Sequence, residues 1–128
     1  MISIKKFVKG SVETMPPKTQ LYSDILCTAY EGGIDYWAAC RNVERDGNGE
    51  YLSFEVRDCE DRTEPWVPVN IENVRTAVNK IITKQTKISD DYRDTIKESY
   101  DENDASNIDA GLADYIVQIA AFGELAFS

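Results

Sequence analysis

Between residues 21 and 30 the apolar positions fall on two adjacent rows. Leu21, Ile25 and Ala29 form one; Tyr22, Leu26 and Tyr30 form the next, the spacing of an amphipathic helix. Gly32 or Gly33 is expected to supply the left-handed residue that ends it. Residues 34–43 then switch to a period of two. Ile34, Tyr36, Ala38 and Cys40 share one face, and Asp35, Trp37, Ala39 and Arg41 the other, which predicts a strand with Tyr36 and Trp37 on opposite sides of a sheet. Asp46-Gly47-Asn48-Gly49 is a turn, because Asn and Gly tolerate positive φ. Residues 50–59 form the return strand, with Leu52, Phe54 and Val56 on one face. Residues 60–65 are a charged loop. Residues 66–69 are extended, and Pro68 suits them to a sheet edge.

The second half of the chain reads as helices. Asn70 is an N-cap, with Val69 and Val74 at the positions of a hydrophobic staple. Ile71, Val74, Ala77, Val78, Ile81 and Ile82 form the apolar face of the helix it starts. Ser89 caps a third helix, with Asp90 and Asp91 favourable in its first turn and Tyr92, Ile96 and Tyr100 along it. Residues 101–106 form an acidic loop. Asn107 is expected to cap a last helix, with Ile108, Leu112, Tyr115, Ile116 and Ile119 as its buried stripe and Gly123 at its end. Residues 124–127 could add a short strand, and residues 2–8 alternate weakly enough to suggest another. The pattern predicts one α+β domain over residues 1–128. A short antiparallel sheet, built on the 34–43/50–59 hairpin, packs against about four helices.

Composition narrows the chemistry. The 128 residues can bury one core, and 42% are hydrophobic. There is no histidine, which removes the commonest general base and metal ligand. Ser-His-Asp and Cys-His systems are thereby excluded. No metal or cofactor motif is present, so none is expected. Asp101-Glu102-Asn103-Asp104 lacks the Gly and Glu of a calcium loop, and Gly47-Asn48-Gly49 lacks the Lys-Ser/Thr of a phosphate loop. The three cysteines (Cys27, Cys40 and Cys59) read as reduced, buried small hydrophobes. The turn sets Cys40 opposite a residue near Val56, not Cys59. No apolar run reaches membrane-spanning length, and residues 1–6 lack the apolar core of a signal peptide. A cytoplasmic protein is expected, with no membrane partner.

Charge is uneven as well as negative. The net value is −9, and the acids concentrate in residues 21–64 and 89–128. Such a surface disfavours direct binding to nucleic acid and suits a partner protein with a basic surface. Rows of carboxylates such as Asp101, Glu102 and Asp104 could also imitate phosphates, or simply keep the chain in solution.

Three groups of residues are candidates for binding. The first is the junction block Glu31-Gly32-Gly33-Ile34-Asp35-Tyr36-Trp37. Its architectural reading is a turn between helix and strand. Its functional reading is an aromatic contact surface made by Tyr36 and Trp37, which the glycines let something approach. The second is Lys80, Lys84 and Lys87 at helical spacing, with Arg75 nearby, either a solvated face or an anion site. The third is Arg41 and Arg57, on facing hairpin strands. Together they would suit a phosphate-bearing small molecule such as a nucleotide.

Glu31-Gly32-Gly33-Ile34-x-Tyr36-Trp37-Ala38, preceded by Ile25-Leu26-x-Thr28-Ala29, resembles a block in small uncharacterised proteins of tailed bacteriophages and prophages. Those proteins also tend to close on an Asp-rich helix and then Gln118 and Phe122-Gly123-Glu124 as here. The resemblance covers both ends of the chain and not its middle, and it carries no catalytic residue. It implies a phage-encoded accessory protein in the host cytoplasm, a class that often counters host defence. Four expectations compete. The first is a non-catalytic anti-defence protein, of anti-CRISPR or anti-restriction type, that binds a host protein through its acidic surface. The second is a protein that sequesters a nucleotide or second messenger. The third is a virion or assembly component, compatible with a homo-oligomer. The fourth is a carboxylate-dependent enzyme, which needs two acids placed together in a cleft.

Overall fold

The computed structural model describes residues 18–127, so the strand expected at 2–8 lies outside the described residues. Helix α1 (Thr19–Thr28) passes without a break into a π-helical turn (Ala29–Gly33). Strands β1 (Ala38–Arg45), β2 (Tyr51–Asp58) and β3 (Val67–Asn70) form an antiparallel sheet in the order β1-β2-β3. Helices α2 (Ile71–Ile82), α3 (Asp90–Glu102) and α4 (Ala110–Phe122) complete the chain. This is the α+β arrangement of a short sheet and four helices that the hydrophobic pattern predicts.

The hairpin forms where the turn chemistry places it. Asp46 Oδ1 accepts from the backbone N–H groups of Asn48 and Glu50, and Gly49 takes a φ of 82°. Cys40 pairs with Val56 across the strands. The inward parity of β2 shifts, because the ladder is irregular between Arg41 and Arg45 and Asn42 sits at a φ of 56°. Tyr51, Phe54 and Val56 are therefore the buried residues, and Leu52 is only half-buried. Ser23 on α1 ties to this strand by donating to the Tyr51 carbonyl at 2.7 Å.

The core lies between one sheet face and the helices. Phe54, Val56 and Val69 meet Leu26, Val74, Ile81 and Ile116 there. Asn70 starts α2 through reciprocal bonds with Asn73, and both staple residues, Val69 and Val74, are fully buried. Ser89 caps α3 as expected. Arg93 turns inward from α3. Its Nε donates to the Ile81 carbonyl at 3.0 Å and its Nη2 reaches the Thr86 and Ile88 carbonyls, placing a cation at the C-terminus of α2.

Several boundaries differ from those the sequence predicts. Neither Gly32 nor Gly33 is left-handed; a π-turn closed by Ile34 N–H to the Ala29 carbonyl ends the first helix instead. β1 begins at Ala38, so residues 34–37 form a turn and Tyr36 and Trp37 are not alternating strand positions. The helix preceding Lys84 stops at Ile82, and Lys84 itself is left-handed at a φ of 63°, so Lys80, Lys84 and Lys87 do not share a helical stripe. α3 runs on to Glu102 before a left-handed Asn103. Asp109, not Asn107, caps α4 by accepting from Leu112 N–H at 2.8 Å. Gly123 ends α4 as expected, but residues 124–127 are not a strand. Cys59 is exposed, and Cys27 and Cys40 half-buried, rather than buried.

Gly33 has a requirement that Gly32 lacks. A Cβ on Gly33 would sit 2.7 Å from the Ala110 carbonyl oxygen, whereas one on Gly32 would meet nothing within 4 Å. The π-turn and α4 approach at backbone distance there. Gly33→Ala is expected to lower the urea-unfolding free energy by about 2 kcal/mol through overpacking. Gly32→Ala should leave it unchanged or raise it by about 0.5 kcal/mol, because its φ is not positive. Equal losses for the two variants would refute the close approach.

Candidate functional site

The most concentrated polar chemistry inside the described residues surrounds Asp114 on α4. This side chain is only 3% exposed. Its Oδ2 accepts from the Tyr36 hydroxyl at 2.6 Å. Its Oδ1 accepts from Trp37 Nε1 at 2.8 Å and from Gln118 Nε2 at 3.0 Å. Both oxygens therefore act as acceptors, as an ionised carboxylate does. Asp114 forms no ion pair among the described residues; neutral donors hold it.

Gln118, one helical turn on, is fully buried and extends the network. Its Oε1 accepts from the backbone N–H groups of Ala126 and Phe127, both at 2.8 Å, and its Nε2 donates to the Phe127 carbonyl at 3.1 Å. The amide thus pairs with Phe127 much as a neighbouring strand would. Phe127 in turn stacks on Trp37, with ring centroids 4.5 Å apart and planes 6° apart. The network joins two segments far apart in the chain: residues 31–38, and the end of α4 together with the residues just beyond it. They meet at this point.

The junction block is consequently divided: Gly33, Ile34 and Trp37 are buried, whereas Glu31, Gly32, Asp35 and Tyr36 are exposed. Trp37 is 3% exposed and offers no open platform. Tyr36 keeps 49% of its surface exposed, but its hydroxyl is committed to Asp114. Gly33 lies against α4 of the same chain. Glu31 is exposed and accepts from the Tyr51 hydroxyl at 2.9 Å, and that hydroxyl accepts from Arg45.

The other candidates separate. Arg41 and Arg57 do come together, on the sheet face away from the helices, where both guanidiniums lie over the Trp66 ring at 4.4 and 4.3 Å. Arg41 also pairs with Glu55 at 2.7 Å and holds that carboxyl below its usual range. Lys80 is half-buried on α2, away from any shared row with Lys84. Asp101, Glu102 and Asp104 are exposed at the end of α3, with Lys97 on Asp101 at 2.7 Å.

Reactive groups are muted. Burial pushes the Cys40 thiol up to about 11, so it stays protonated at neutral pH. Burial, then the Glu31 carboxylate, raises Cys27 as well. Among the described residues no group of His, Cys, Asp or Glu side chains is placed to hold a metal ion.

Reasoning from the sequence did not name Asp114, and named Gln118 only as part of the resemblance. The available signal was two polar residues four apart within the apolar run of α4, between Ala113 and Ile119. No helix among the described residues is long and apolar enough to cross a membrane.

Burial of its hydroxyl end, then the bond to Asp114 and its charge, raise Tyr36 to about 12. Its folded value lies above the unfolded one, so the folded state keeps a proton the unfolded state releases above pH 10. Stability from this group is full below pH 10 and falls as pH rises toward 12. Tyr36→Phe should flatten that decline relative to the wild type; an identical alkaline decline would contradict the Tyr36–Asp114 bond. Gln118→Leu strands two backbone N–H groups. It should cost about 2 kcal/mol and speed amide exchange at Ala126 and Phe127. Unchanged exchange would contradict the bridging role.

Comparison with protein-family models, with curated proteins and with solved structures gave no match.

Proposed function

We propose that the chain is a non-catalytic binding protein that engages a basic surface of a host protein through the acidic face of α3 and the loop after it. The observation that carries this reading is the way α3 sorts its charges. Asp90, Asp91, Asp94, Glu98, Asp101, Glu102, Asp104 and Asp109 are all exposed. Of the two cations in the same stretch, Arg93 is turned inward with its side chain 11% exposed, which leaves Lys97 alone outside. Asp91, Asp94, Glu98 and Asp101 recur three or four residues apart, about 5 Å of helix rise each. Such a row offers a basic groove regularly spaced charges, and its attraction extends roughly a Debye length, ~10 Å at 0.1 M salt.

Asp90 pairs with Arg93 and Asp101 with Lys97, but Asp91, Asp94, Glu98 and Glu102 have no ion-pair partner among the described residues. Asp90 and Asp91 favour the helix N-terminus, but Asp101 and Glu102 sit in the last turn, where the helix dipole disfavours them. Residues kept against a local cost are better explained by an external partner. The resemblance to small phage proteins extends the proposal: the partner is a defence protein in the host cytoplasm, and binding blocks its basic nucleic-acid groove. The nucleotide-sequestering alternative loses Trp37, which Phe127 covers, and keeps only Tyr36, whose hydroxyl is bonded to Asp114.

The test is affinity capture of the tagged protein from bacterial cells, compared with Asp101→Lys/Glu102→Lys/Asp104→Lys. The reversed residues are exposed, so the fold should lose no more than about 0.5 kcal/mol. Capture of a basic partner is expected to weaken by tenfold or more in the triple variant, and again between about 0.1 and 0.5 M salt. A partner retained equally by both proteins at both salt concentrations would overturn the proposal.

A further inference from the structure

A cleft of about 350 Å³ opens where the end of β2 meets the segment after α4. Its walls are mostly apolar: Pro65, Val67, Phe122, Ala126 and Phe127. The volume falls in the range of small-molecule sites, which combine apolar walls with a few polar groups. Three charged side chains, Arg57, Asp58 and Glu64, line the same cleft.

Arg57 is the unusual member. It is half-buried, yet it forms no ion pair among the described residues. Its Nε is buried without an acceptor, and only its Nη1 is engaged, with the Arg62 carbonyl at 3.0 Å. The guanidinium carbon lies over the Trp66 ring, 4.3 Å from its centroid. A half-buried cation with an unpaired buried donor favours an anion beside it. Asp58 and Glu64 do not supply that anion, although both line the cleft. Asp58 instead accepts from Glu60 N–H at 2.8 Å, and Glu64 is exposed without an ion-pair partner among the described residues.

Opposite charges that share a cleft without closing on each other leave a gap that a ligand carrying both charges can bridge. We propose that this cleft binds a small zwitterion with an apolar body, namely an apolar or aromatic α-amino acid. Its carboxylate meets Arg57, its ammonium meets Asp58 or Glu64, and its side chain lies against Phe122 and Phe127. The fork of a guanidinium suits a carboxylate, and the aromatic walls suit a ring. This site is separate from the acidic face of α3, so either proposal can fail alone.

The cleft carries its own reporters. The chain has two tryptophans; Trp66 lies under Arg57 and Trp37 behind Phe127. Nitrogen–proton NMR of the whole protein, titrated with phenylalanine, 3-phenylpropionate and phenethylamine, reads both indole N–H groups and the Arg57 Nε–H group. Phenylalanine is expected to bind tightest and to shift all three signals. Removing its amine or its carboxylate should weaken binding by about tenfold each. Arg57→Met should abolish the preference of phenylalanine over phenethylamine, and Glu64→Gln with Asp58→Asn its preference over 3-phenylpropionate. Equal binding by all three probes, no shift with any, or preferences unchanged in variants that keep the wild-type spectrum elsewhere would overturn the proposal. If Arg57→Met unfolds, Arg57→Lys, which keeps the charge but not the fork, should give an intermediate preference; a wild-type preference there would count against the carboxylate contact.

Discussion

A carboxylate buried in α4 must find donors or destabilise the fold, and the way Asp114 finds them organises much of this structure. Tyr36 and Trp37 can reach it together only from a compact turn, because successive strand residues point to opposite faces. The turn at residues 34–37 therefore delays β1 until Ala38. The π-turn before it brings Gly33 against the first turn of α4, at a separation no side chain tolerates. Gln118 carries the same network to Ala126 and Phe127, and the Trp37–Phe127 stack covers it. One helix face thus anchors the junction on one side and the segment after α4 on the other.

The same constraint divides the surface by chemistry. Near the junction Trp37 is buried and the Tyr36 hydroxyl is bonded to Asp114, while charged side chains dominate the outer face of α3. α3 exposes a row of carboxylates while Arg93 turns inward to the C-terminus of α2. The sheet face away from the helices carries the Arg41–Trp66–Arg57 cluster, and the adjoining cleft borrows Phe127, a member of the Asp114 network, as a wall. Ligand binding in that cleft would therefore act on the packing that holds the junction.

The helices and the hairpin are legible in the sequence, since each arises from a local rule. The period of 3.6 marks α1 to α4, Asp46 and Gly49 mark the turn, and Asn70 with Val69 and Val74 marks the start of α2. The junction is not legible, because its conformation is set by a residue roughly 80 positions away. Alternation over residues 34–41 resembles a strand whether or not the chain is extended, and the bonds of Tyr36 and Trp37 to Asp114 favour the turn over it. The glycines mislead for a related reason: glycine ending a helix suggests positive φ, but Gly33 answers to α4 rather than to its own backbone angles. Arg41 and Arg57 are brought together by register, whereas Trp66, which unites them, reads in the sequence only as strand.

The central claim is that Asp114 and the aromatic block act as one unit. A double-mutant cycle on Trp37→Phe and Asp114→Asn, read by urea unfolding at neutral pH, tests it most directly. The cycle is expected to give a coupling energy of at least about 1 kcal/mol, as for groups sharing one hydrogen-bond network. Losses that add to within about 0.5 kcal/mol would mean that Trp37 and Asp114 stabilise the fold independently, and would contradict the account.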